Sequence, residues 1–111
     1  MKRVVLLAAI ALALPVFAVA ENWSSVSIVD VQCSAKAKAN ADAHTRDCAL
    51  MCARSGFGIV DQGGNFLKFD AKGNQEATKL LQNSSKKDHL RVNVTGTRDG
   101  DTIHVQSLSM S

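Results

Sequence analysis

The sequence predicts a small α+β protein, mainly β: a five-stranded OB-like barrel with one cysteine-bearing helix and one short second helix. Three observations lead there. Apolar residues alternate over several short β-branched runs, glycine turns separate two pairs of those runs, and two segments carry helical spacing instead. The resulting order is β-α-β-β-α-β-β, which suits a small Greek-key barrel. An open α+β sheet is the alternative arrangement of the same elements.

Residues 1–20 are expected to be a cleaved signal peptide, leaving 21–111 as a single domain. Lys2 and Arg3 precede the apolar run Val4–Leu14, Pro15 ends it, and Ala18-Val19-Ala20 supplies an A-x-A cleavage signal before Glu21. That run is shorter than the roughly 20 residues of a bilayer span. No membrane span is therefore expected after cleavage, and the protein is expected to be exported, periplasmic or extracellular. Loss of Lys2 and Arg3 takes 13 basic and 10 acidic residues to 11 and 10, and the net charge from +3 to about +1. A domain so near neutrality has no long-range pull on phosphate backbones or anionic lipid. Beyond the leader its aromatics are Trp23, Phe57, Phe66 and Phe69, too few for the stacking platforms of a single-strand binder. No nucleic-acid partner is expected.

Taken in order, Ser25–Val31 reads as the first strand, with Val26 and Ile28 on one face. Ser34–Ala41 has no apolar stripe and reads as an exposed lead-in, helical or loose. The cysteine helix is expected over Asp42–Gly56, capped by Asn40 or Asp42, with Leu50, Met51 and the cysteines on its buried side. Phe57–Val60 and Asn65–Asp70 form a hairpin. A turn at Gly63-Gly64 would set Val60 opposite Leu67 and Gly58 opposite Phe69. Asp70–Asn74 reads as a turn, and Gln75–Ser84 as the second helix with Ala77, Leu80 and Leu81 on its apolar face. His89–Thr97 and Asp101–Ser107 alternate around a type I′ turn at Asp99-Gly100, which puts Val94 opposite Val105 and Arg98 opposite Asp101.

The closing segment LRVNVTGTRDGDTIHVQSL resembles the final hairpin of small exported bacterial OB-fold proteins. The chain beyond the leader also resembles a group of uncharacterised exported bacterial proteins that pair a Cys…His…Cys-x3-Cys segment with a V-x-V-x-G…G-D-x-I-x-V ending. The matching residues are Cys33, His44, Cys48 and Cys52, then Val92, Val94, Gly96, Gly100, Asp101, Ile103 and Val105. The resemblance implies fold and compartment, and transfers no catalytic residue.

The three cysteines carry the unusual chemistry. An oxidising compartment pairs thiols, and an odd count leaves one free, bridged to another chain, or bound to something. Cys48 and Cys52 sit one turn apart with parallel Cβ vectors, so Cys33 bonded to either is the easier disulfide. Closing that loop of about 15 residues would contribute roughly 3 kcal/mol in the chain-entropy account. The remaining cysteine could then form an intermolecular disulfide. The alternative is a zinc or copper site of Cys33, His44, Cys48 and Cys52. One unbroken helix rises about 12 Å from residue 44 to residue 52, too far for one ion, so the full set requires the helix to begin after His44.

Catalysis is not expected. A redox dithiol takes C-x-x-C at a helix N-terminus, whereas Cys48 and Cys52 are one residue further apart. Arg91, Asn93 and Thr95 beside His104 and Gln106 form a polar strand face, the kind of surface on which OB-type barrels bind oligomers. The sequence thus points to a non-catalytic binding or structural module that requires no cofactor, tied by a disulfide from Cys33 to the Cys48/Cys52 helix. The alternative is an envelope protein for zinc or copper.

Overall fold

A computed structural model describes residues 19–111. The predicted leader, apart from its last two residues, lies outside them. The strands are β1 (Glu21–Asp30), β2 (Phe57–Val60), β3 (Phe66–Phe69), β4 (Arg91–Asp99) and β5 (Thr102–Met110). They close a barrel in the order β1-β2-β3-β5-β4, with β3 and β5 parallel and the other neighbours antiparallel. This is the expected OB-like barrel.

Its interior is made by the alternation read from the sequence. Val26 and Ile28 from β1, Phe57 and Ile59, Leu67 and Phe69, Val92 and Val94, and Ile103 and Val105 form one core. Helix α3 (Ala71–Asn83) adds Ala77 and Leu81 to it. This helix is longer than expected, because Asp70 caps it by accepting the Gly73 amide at 3.0 Å. The segment 70–74 is therefore a helix start and not a turn.

Two hairpins differ from the expected register. Between β2 and β3 the pairs are Val60 with Phe66, Ile59 with Leu67 and Gly58 with Lys68. The loop is one residue longer than a two-residue turn, and Gly64 closes it at φ 78°. One step along a strand exchanges its faces. Ile59 therefore takes the inner face with Leu67 and Phe69, and Val60 turns outside beside Phe66, where both meet Val29, Ala37 and Ala41 in a second small cluster. Between β4 and β5, Asp99 pairs with Thr102, so the turn is Gly100-Asp101. Gly100 alone of the two has positive φ (59°), which excludes type I′. A register shift between Thr95 and Gly96 then sets Val94 opposite Leu108.

The segment between β1 and β2 differs most. Ser34–Ala41, expected to be exposed and helical or loose, does contain a short helix α1 (Ser34–Ala37), but its Ala37 is buried in the outer cluster. The predicted cysteine helix is three pieces: a 3₁₀ turn Ala41–Ala43, helix α2 (Arg46–Met51) and a 3₁₀ turn Ala53–Ser55. Thr45, not Asn40 or Asp42, caps α2, its hydroxyl accepting the Cys48 amide at 3.2 Å. A helix of six residues buries little. Ala49 faces the core, Leu50 is half-buried, and Met51 is 85% exposed instead of buried. Among the described residues no helix is long and apolar enough to cross a membrane.

Asp42 has a different task from capping. Its carboxylate accepts Arg91 Nε at 3.1 Å and Nη2 at 2.8 Å, tying the 3₁₀ turn to β4. The Arg91 hydrogen bond holds the Asp42 carboxyl below the ordinary carboxylate value of 3.8. A depressed carboxyl contributes stability above its unfolded pKa and loses it as pH falls through the folded value. Asp42→Asn is thus expected to lower the melting temperature by a constant amount at neutral pH. The gap from wild type should narrow below pH 3.8 and close at lower pH. Melting curves of both proteins across acid pH check this, and a gap independent of pH would refute it.

Candidate metal centre

Asp30 ends β1 opposite Phe57, the first residue of β2. That pairing sets the chain leaving β1, which carries Cys33, beside the chain arriving at β2, which carries Cys52. The Asp30 side chain is fully buried. One oxygen accepts the Cys33 amide at 2.9 Å, which shapes the turn after the strand. The other lies 2.6 Å from Nε2 of His44, a ring only 11% exposed. The imidazole N–H donates to the carboxylate and fixes its orientation.

Cys33 and Cys52 approach to 4.2 Å. Their sulfurs and a carboxylate oxygen of Asp30 all lie within 4.8 Å of one another. Two thiolates on one tetrahedral ion, with bonds of about 2.3 Å, stand about 3.8 Å apart. The cysteine pair is therefore within a few tenths of an ångström of what a shared ion requires. Burial, and then the Asp30 carboxylate and the Cys52 sulfur beside it, push the Cys33 thiol up to about 11. A crowded anionic site of that kind gains most from a cation, which replaces the thiol protons.

Of the four ligands expected from the sequence, the fold brings Cys33 and Cys52 together and places His44 one hydrogen bond behind them. Helix α2 does begin after His44, as a complete set required. Cys48 is exposed and stands outside the group of converging ligand atoms. Asp30 takes the place expected of Cys48. Its local signal is the spacing Asp30-x2-Cys33 directly after the apolar pair Ile28-Val29.

The other expected residues have local partners. Arg91 is bound to Asp42 and to the Ser25 carbonyl at 2.9 Å. Asn93 accepts the Ser25 amide at 2.9 Å, and Thr95 donates to Asn22 at 2.7 Å. This face of β4 is thus spent largely on joining β1. His104 is exposed, 3.6 Å from Asp70 and 4.0 Å from Asp99, and Gln106 lies beside the register shift of β5. A cavity of about 430 Å³ opens between the start of α2 and Ser84–Lys87, away from the sulfurs. Its Arg46 already donates to the Leu81 and Gln82 carbonyls at 2.6 and 3.0 Å, capping α3.

No known protein family, curated protein or solved structure matches the chain.

Proposed function

We propose that the protein is a small exported module that binds one thiophilic ion, zinc or cuprous copper, through Cys33, Cys52 and Asp30. The observation that carries this reading is the convergence of those three ligand atoms within 4.8 Å. His44 acts as the orienting partner of the Asp30 carboxylate, the role outer groups play around metal ligands. In this reading Cys33 is a ligand and not a nucleophile. A Cys33 thiol held at about 11 is the opposite of the lowered pKa that thiol catalysis needs.

A second reading rests on the 4.2 Å approach of the same pair. In an oxidising compartment Cys33 and Cys52 could close as a structural disulfide, leaving Cys48 exposed and free to bridge to another chain. The two readings exclude each other on one molecule. Native mass spectrometry with a thiol count separates them. One bound ion and three titratable thiols are expected, with the ion lost in Cys33→Ser and Cys52→Ser and kept in Cys48→Ser. A chain two hydrogens lighter, with one thiol and no metal, would overturn the metal reading in favour of the disulfide.

A further inference from the structure

An ion cannot reach Asp30, which is fully buried, except past the residues around it. An open, shallow cavity of about 300 Å³ reaches Cys33, and its wall also includes His44 and Cys48. Cys48 is exposed there, one step outside the converging ligand atoms. Met51 follows it by three residues on α2, so the two side chains are neighbours on one helix surface. At 85% exposure, Met51 is also an unusual place for a large apolar side chain. A thiol and a thioether together form a soft donor pair on the helix whose Cys48 borders that cavity. Thioether favours cuprous copper over zinc.

We propose that Cys48, with Met51 beside it, is the gateway through which a cuprous ion passes between a thiolate carrier and the Asp30–Cys33–Cys52 site. This rests on the metal reading above and narrows its ion to copper. The exchange is by ligand substitution alone. Cys48 gives its thiol proton to solvent and bonds to copper as one carrier thiolate leaves and takes up a proton. Cys33 and Cys52 then bond to the ion, each releasing its proton, while Cys48 and the remaining carrier sulfur let go and are reprotonated. Copper stays Cu(I) throughout, and no oxidant or reductant is consumed.

The test separates rate from affinity. The reduced protein is mixed anaerobically with the Cu(I)–glutathione complex, loading is followed by stopped-flow, and affinity is measured by competition with a Cu(I) chelator. Cys48→Ser is expected to slow loading about tenfold or more with affinity unchanged, since routes alter rates and not end states. Met51→Leu, which keeps the volume and removes the sulfur, should slow it less. Wild-type loading by Cys48→Ser would overturn the gateway while leaving the site standing. Equal losses of rate and affinity would make Cys48 a resident ligand, which also overturns it. A wild-type protein that takes up no Cu(I) would overturn the gateway and the narrowing to copper, and one that in addition binds no zinc would remove the metal reading itself.

Discussion

Asp30→Ala is expected to destabilise the protein by about 3–5 kcal/mol, because it leaves two donors around one buried carboxylate without an acceptor. The lost carboxylate serves two groups at once. Without it the Cys33 amide loses its acceptor at 2.9 Å, and the His44 ring, 11% exposed, loses its acceptor at 2.6 Å. A buried donor left unsatisfied costs its full desolvation, about 1–3 kcal/mol for each. Against a total stability of about 5–15 kcal/mol for a small domain, that loss leaves little margin. Asp30→Asn keeps the shape and an acceptor for Cys33, and should fold. It removes the anionic ligand, however, and its metal affinity should fall by about 100-fold or more, beyond the 10–100-fold typical of an orienting partner. Urea unfolding of the metal-free proteins measures the first effect and chelator competition the second. An alanine variant within about 1 kcal/mol of wild type would mean that the pair does not organise this end of the barrel.

The same residue marks where the sequence ceases to be readable. The barrel was legible because period-two alternation survives errors in register. In β4 and β5 the real turn is displaced by one residue from Asp99-Gly100, yet Val92, Val94, Ile103 and Val105 still face inward. Moving the turn centre by one residue changes the pairing by two, and a shift of two keeps each face. The β2–β3 hairpin had no such protection. Phe57-Gly58-Ile59-Val60 is apolar or small at every position, so nothing in it says which face is inside. Its fate was set by the loop length, and the shift of one put Ile59 in place of Val60 on the face of Leu67 and Phe69, turning Val60 outside beside Phe66.

The cysteine segment failed for a different reason. Thr45 is an ordinary cap residue just before Arg46, and its presence inside the apparent helix could have signalled a break after His44. Without that break, Met51 falls on the inner stripe; with it, the helix is too short to bury it. Asp30 is harder to find. Its partners His44 and Cys52 lie 14 and 22 residues away in sequence, and only the Asp30–Phe57 pairing brings those stretches together. Ligand identity here follows from strand register, which residue spacing within one segment does not specify.

Gly96→Ala is the other substitution expected to have a large effect, about 3 kcal/mol, at the upper end for crowding a well-packed site. Strand β4 lies between β1 and β5, and Gly96 pairs with Glu21 on one side and Val105 on the other. A Cβ there would run into the His104 carbonyl oxygen and stand 3.0 Å from Ile103 Cγ2. The first obstacle is backbone, so no side-chain rotation relieves it. The strands would have to part where their register shifts and the sheet bends to close. Gly64→Ala provides the comparison, because its φ of 78° strains any side chain while nothing lies within 4 Å of the added carbon. Left-handed strain alone costs about 1 kcal/mol. For a domain of this size 1 kcal/mol moves the melting temperature by about 4–8 °C, so the two variants should melt well apart. Equal melting temperatures would show that the close approach of β4 and β5 is not what holds the barrel shut. If Gly96→Ala also weakens metal binding, although Gly96 lies in a different strand from every ligand, barrel closure and the site at the end of β1 are one cooperative unit.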